Sequence, residues 1–165
     1  MAQSLILEWD LDHLAEAMHL TKDEVLTYFK DGRRISFILE RRIRDAFPNW
    51  TLAPSEGSGF DLIDDRGRYW EARSVSSGIY FCPSAMVGKG RWFEEQGFIA
   101  KLDAVEGYVC ADILAFPCVP VFMVPSALVR EFYHAGQLGA GSRIGRAAFY
   151  SKIVPRLPKP VVIDD

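Results

Sequence analysis

Cysteine is scarce in this chain of 165 residues: there are three, Cys82, Cys110 and Cys118, widely spaced and without a CxxC pair. An odd number at such spacing argues against both a disulfide framework and a structural zinc site. Histidine is equally sparse, and His13, His19 and His134 stand apart in sequence, which offers no spacing for a histidine-based metal site or triad. Long apolar runs are missing too. Val119 to Val124 is interrupted by Pro120 and falls far short of the roughly 20 residues of a bilayer-spanning helix. The stretch Met1 to Glu8 has neither the basic start nor the apolar length of a secretion signal, so the expected location is cytoplasmic, with no membrane association. Positive charge is not in excess either. Nineteen Lys and Arg against 22 Asp and Glu leave a net charge of −3, which argues against a surface coated in basic side chains.

What is present fits a globular domain. A hydrophobic content of 49% with 25% charged residues supports one substantial core, or one core plus a small appendage. Basic residues cluster locally, first as Arg33, Arg34, Arg41, Arg42 and Arg44, then as Arg66, Arg68 and Arg73. A local patch is what phosphate contacts need, although the first cluster reads equally well as a solvated helix face.

Hydrophobic spacing divides the chain into three parts: an N-terminal helical segment over 1–32, a core over 33–154 and a C-terminal tail over 155–165. Within Leu11 to Phe29 two short helical patterns are joined at His19, Leu20 and Thr21, and Thr21 followed by Glu24 is a capping box. The pair resembles a helix-turn-helix, yet Asp23 and Glu24 would face phosphates badly, and a helical hairpin used for packing or dimerisation accounts for it as well. A stronger helix begins after Gly32 and ends at Pro48. Three strands are expected over Trp50 to Ala53, Phe60 to Ile63 and Arg68 to Val75, the last two joined by the tight turn Asp64-Asp65-Arg66-Gly67. Ser76 to Gly90 reads as irregular, Arg91 to Leu102 as a helix, Tyr108 to Ile113 and Val119 to Val124 as buried strands, and Ser126 to His134 as a helix. The proline-rich tail from Pro155 reads as an extended arm.

Chemistry concentrates on the third strand. Glu71 and Arg73 are two apart and therefore share a face, roughly 6 to 7 Å apart along the strand. The turn brings Asp61 back towards them. Two carboxylates can hold Mg²⁺, which takes oxygen ligands, polarises a phosphoryl oxygen and acidifies a bound water, and a neighbouring cation would offset charge in the transition state. That set suits phosphodiester hydrolysis. A bland alternative is an exposed strand on which Glu71 and Arg73 merely pair.

The helix over Ser36 to Phe47, the run Ser55-Glu56-Gly57-Ser58-Gly59-Phe60-Asp61-Leu62-Ile63 and the run Tyr69-Trp70-Glu71-Ala72-Arg73-Ser74 together resemble the PD-(D/E)xK nuclease superfamily. That superfamily includes type II restriction endonucleases and archaeal Holliday-junction resolvases. The resemblance implies an α/β fold with a restriction-endonuclease-like core, a mixed central sheet flanked by helices. It implies Asp61 and Glu71 as metal ligands and Arg73 in the place of the family's lysine. Glu40 resembles a helix-borne glutamate that some members use as a further metal ligand, and it could equally be an ion-pair partner. Two departures stand out: Phe60 replaces the proline before the aspartate, and arginine, unlike lysine, cannot act as a general base. Lys89 or Lys101 could supply the missing ammonium.

The implied function is a Mg-dependent endonuclease on double-stranded DNA, with Mn²⁺ able to substitute, and a type II restriction endonuclease fits the acidic balance better than a resolvase. So small a chain would cut both strands as a homodimer or with a partner subunit. Arg33, Arg34, Lys89, Arg91 and Lys101 are the expected DNA contacts, and the loop Gly78 to Arg91 carries the aromatic, hydroxyl and basic groups that base and phosphate contacts use. Two other readings stay open: a noncatalytic DNA-binding or assembly protein that keeps the fold, and a regulator that binds through Leu11 to Phe29.

Overall fold

A computed structural model describes residues 3–55 and 57–163, without the side chains of Arg33 and residues 161–163. The fold is mixed α/β: one curled central sheet with helices on both faces. Its strands are β1 (Leu5–Glu8), β2 (Thr51–Leu52), β3 (Leu62–Ile63), β4 (Tyr69–Val75), β6 (Gly107–Asp112), β7 (Cys118–Pro125) and β9 (Val161–Ile163), in the spatial order β2-β3-β4-β6-β7-β1-β9. The β4–β6 and β1–β9 pairs are parallel and the other neighbours antiparallel. A separate pair, β5 (Gly78–Tyr80) and β8 (Arg143–Gly145), stands beside the end of β4.

Alternation along the strands sends side chains into two cores. Trp70, Val109, Ala111, Val121 and Met123 face one side, where α1 (Leu11–Met18), α2 (Lys22–Phe29) and α3 (Gly32–Ala46) contribute Ala15, Val25, Phe29, Ile35, Leu39 and Ile43. Val75, Tyr108, Cys110, Phe122 and Val124 face the other, where α4 (Glu95–Ala104) and α5 (Ser126–His134) bring Phe98, Leu102, Val129 and Phe132. The central strands β6 and β7 are covered on both faces, which is why they read as continuous apolar runs.

Local chemistry sets most of the boundaries. Thr21 caps α2 through the expected capping box with Glu24. The β3–β4 turn closes as expected, with Gly67 at φ +75° and its N–H donating to the Asp64 carbonyl. Asp64 is 4% exposed and accepts from the backbone N–H groups of Arg66 and Arg68, the Arg68 guanidinium and the Trp70 indole, so it pins the turn to the core.

Three expectations need correction and one needs an addition. The helix expected from Arg91 begins at Glu95, because Glu94 accepts from the N–H groups of Gln96 and Gly97 and so caps it there. The irregular stretch after Ser76 contains a strand, β5, whose partner lies far along the chain at β8. The N-terminal segment is not wholly helical: β1 lies inside the central sheet, with Leu5 and Leu7 buried. The expected extended tail is also tied into the sheet, since β9 pairs with β1 in parallel. Among the described residues no helix is long and apolar enough to cross a membrane.

Candidate active site

Glu71 and Arg73 project from β4 on the same face as Val75, towards α4, while Trp70 points to the opposite core. Asp61 stands just before β3. Its backbone N–H donates to the Trp70 carbonyl at 3.0 Å and its carbonyl accepts from Ala53 N–H at 2.9 Å, so the main chain there still belongs to the sheet. Beyond it the chain turns away through Gly59, at φ +78°. The Ala72 N–H, two residues on from Trp70 and on the same edge, is met by the Asp61 carboxylate instead of a backbone carbonyl: Oδ2 accepts at 2.7 Å.

Glu71 is buried and bridges two cations. Its Oε1 lies 2.5 Å from Arg73 Nη1, and its Oε2 accepts from the ammonium of Lys101, which also donates to the Gly59 carbonyl. Lys101 reaches the site because it lies on α4 three residues after Phe98 and one before Leu102, both buried, so its stem runs inward. The side chains of Glu71 and Lys101 are each 9% exposed, too little to be surface decoration. The Arg73 guanidinium is held as well, donating from Nε to Tyr80 O, from Nη1 to Ala72 O and from Nη2 to Cys82 O. It ties β5 to β4 and fixes Glu71. Most of its N–H groups are engaged in these contacts.

The structure therefore brings together Asp61, Glu71, Arg73 and Lys101. Burial, then the neighbouring Glu71 charge, pushes the Asp61 carboxyl above the usual aspartate range, against the pull of the Ala72 N–H, Arg73 and Lys101. Asp61 thus stands half-buried beside a second carboxylate, with acceptor capacity left on its side chain. The donor chemistry fits a hard divalent ion: carboxylate oxygens, with the Gly59 and Ala72 carbonyls beside them. Among the described residues no group of three or more His, Cys, Asp or Glu is placed to hold a metal, so Asp61 and Glu71 would be the acidic ligands without a third.

Glu40 approaches from the other direction. It is half-buried on α3 and lines, with Asp61, Ser36, Phe37 and Arg41, a cavity of about 400 Å³ from which Glu71 is absent. The reason is topological, since α3 packs on the opposite face of the sheet from Lys101 and α4.

The expected DNA contacts are dispersed. Lys101 is turned inward, as described. Arg34 is exposed and paired with Asp31 at 3.4 Å, and Arg91 donates to the Ser84 and Val87 carbonyls and so braces its own loop. Lys89 is exposed on that loop, next to Trp92, which is 84% exposed. The Arg33 side chain lies outside the described residues.

Two groups escaped sequence reasoning. Arg143, the cross-strand partner of Tyr80, stands over the same end of β4 as Arg73, and no local signal links positions so far apart. Asp112, fully buried at the end of β6, accepts from the Arg146 guanidinium at 2.6 Å and from the Tyr150 hydroxyl at 2.5 Å. A lone Asp at a strand end gave no hint of those partners. Compared with protein-family models, curated proteins and solved structures, the chain matches none.

Proposed function

We propose that the chain is a Mg-dependent endonuclease built on a restriction-endonuclease-like core, most like a type II restriction endonuclease, that hydrolyses phosphodiester bonds of double-stranded DNA. The observation that carries this reading is the placement of Lys101: the third strand has arginine where the family has lysine, and an ammonium arrives from α4 at the same glutamate. Lysine can release and take up a proton during a reaction, whereas arginine is effectively always charged. Asp61, Glu71 and Lys101 then form the reactive set, and Arg73 positions Glu71.

Bound between the two carboxylates, Mg²⁺ or Mn²⁺ would supply Lewis acidity and an acidified water. Asp61, just before β3, and Glu71, on β4, would hold the reacting centre, and the Asp64 turn fixes those two strands to each other. Lys101 sits where it can offset charge developing on the phosphate or hold a proton near it. Glu40 and Arg41 line the cavity shared with Asp61 and would face a DNA strand that approached from the α3 side. Cutting both strands of a duplex would use a homodimer or a partner subunit.

The test is cleavage of plasmid and phage DNA with Mg²⁺ or Mn²⁺ by wild type, Asp61→Ala, Glu71→Ala and Lys101→Met. Discrete products lost in all three variants support the reading; absence of cutting on varied DNA overturns it. A second reading, a DNA-binding or assembly protein without catalysis, is favoured by the fact that both Glu71 oxygens already pair with cations. Metal-independent binding without cleavage would establish it.

A further inference from the structure

A cleft of about 780 Å³ opens beside the carboxylate site and shares Ala72 and Arg73 with it. Its size lies within the range of about 300–1,000 Å³ that holds small organic ligands. The start of α3 forms one wall and the β5–β8 pair the other.

Two features of the second wall point to a ligand. Tyr80 is 36% exposed, and its cross-strand partner Arg143 places its guanidinium 5.7 Å from the centre of its ring. Arg143 can lie there because residue 78 is glycine: a Cβ at Gly78 would stand 2.6 Å from Arg143 Nη2. Arg143 donates to Ser77 Oγ at 3.2 Å, and among the described residues it makes no ion pair. A half-buried guanidinium without a counter-ion among the described residues, beside a partly exposed aromatic side chain, is a seat for an anion that carries a flat ring. Ser36, Ser74 and Ser76 add hydroxyls along the same cleft. The one carboxylate on its lining, Asp31, is engaged by Arg34.

We propose that this cleft binds one unstacked nucleotide of the substrate strand, next to the phosphate that is cut, with its base on Tyr80 and its phosphate on Arg143. In a duplex the base faces are covered by one another, so a ring can reach Tyr80 only from a single-stranded or extruded nucleotide. The substrate class narrows accordingly to DNA that is single-stranded, frayed or flipped at the cut. The position of the cut rests on the nuclease reading; nucleotide binding by the cleft does not.

The experiment is fluorescence anisotropy in EDTA with a labelled short oligothymidylate, a blunt duplex of equal length and free dTMP as competitor. Stacking on an aromatic side chain contributes on the order of 1–3 kcal/mol per base, so Tyr80→Ala is expected to weaken oligothymidylate binding about tenfold or more, while Tyr80→Phe binds like wild type. Arg143→Gln is expected to weaken it comparably, and it stands in for Tyr80→Ala should that variant not fold. Glu16→Gln, exposed on α1 and outside both cavities, is expected to bind like wild type. Equal affinity in wild type, Tyr80→Ala and Arg143→Gln overturns the proposal, whichever of the two DNAs binds more tightly. Saturable dTMP binding with no oligonucleotide binding overturns the assignment to a strand. Binding that depends on Tyr80 and Arg143 without metal-dependent cutting upholds the cleft and overturns the nuclease reading. Cutting that requires Asp61, with affinity and KM unmoved in the Tyr80 and Arg143 variants, does the reverse.

Discussion

Asp61 and Asp64 lie three residues apart on one hairpin and differ in almost everything that matters chemically. Asp64 is buried, and burial alone would raise its pKa, but four donors from Arg66, Arg68 and Trp70 outweigh that and hold its carboxyl below the usual range. Asp61 has one donor, the Ala72 N–H, and a neighbouring carboxylate, and burial and that carboxylate push it up. Asp64 is satisfied by the fold, whereas Asp61 keeps acceptor capacity in reserve and borders a cavity. Burial and charge do not by themselves separate these two acids; unfilled hydrogen-bonding capacity and access to a cavity do. Asp112 sits at the structural extreme, closed off by Arg146, Tyr150 and the N–H of Leu114.

The contrast can be broken in several ways. The largest expected effect is on cleavage: Asp61→Ala or Glu71→Ala should lower the Mg-dependent rate by on the order of a thousandfold or more, while Asp64→Ala leaves the rate per folded molecule within about twofold. Comparable losses in the Asp61 and Asp64 variants would erase the distinction. Next comes stability. Asp64→Ala strands the Arg68 guanidinium, the Trp70 indole N–H and two backbone N–H groups, and should cost about 3 kcal/mol in a denaturant titration.

Lys101→Met should slow cleavage by about a hundredfold and Lys101→Arg by less if charge is what counts, or equally if a transferable proton is. Both are read from single-turnover rates at saturating enzyme.

The two aspartates should also leave opposite marks on stability against pH. Asp64 has a depressed folded pKa, so its contribution is fully present above the ordinary aspartate value of about 3.9 and is lost as pH falls through the folded value. Asp64→Asn should flatten the acid limb of a urea-midpoint profile. Asp61 has a raised folded pKa, so the folded protein holds a proton that the unfolded chain has lost, and stability falls as pH rises through that folded value. In EDTA at neutral pH, Asp61→Asn should therefore raise Tm slightly, the smallest effect of the series; a lower Tm would show that the carboxylate is needed structurally at Ala72.

Much of the hairpin could be read from the sequence because its causes are local. Asp64 to Gly67 is turn chemistry, Tyr69 to Val75 has the residue types of a strand, and the two-residue spacing of Glu71 and Arg73 dictates a shared face. Lys101 was legible as a candidate ammonium but not as a partner of one acid, because its direction depends on how α4 docks through Phe98 and Leu102. Arg73 was legible as a cation beside Glu71, but not its bonds to the Tyr80 and Cys82 carbonyls, which depend on where the segment around β5 folds back. The β5–β8 pair was invisible for the same reason that its cleft was: neither strand, at three residues each, carries a pattern, and each exists only through the other.

By itself the sequence determined what short-range forces determine: the helix caps, the glycine turn, the strand periodicity and the presence of Asp61 and Glu71 at the spacing of one hairpin. Tertiary structure decided which cation meets which acid, on which face Glu40 falls and what stands next to Arg73. These depend on docking α3 and α4 to opposite sides of a single sheet, and such docking is set by the sum of many apolar contacts rather than by any neighbouring residue.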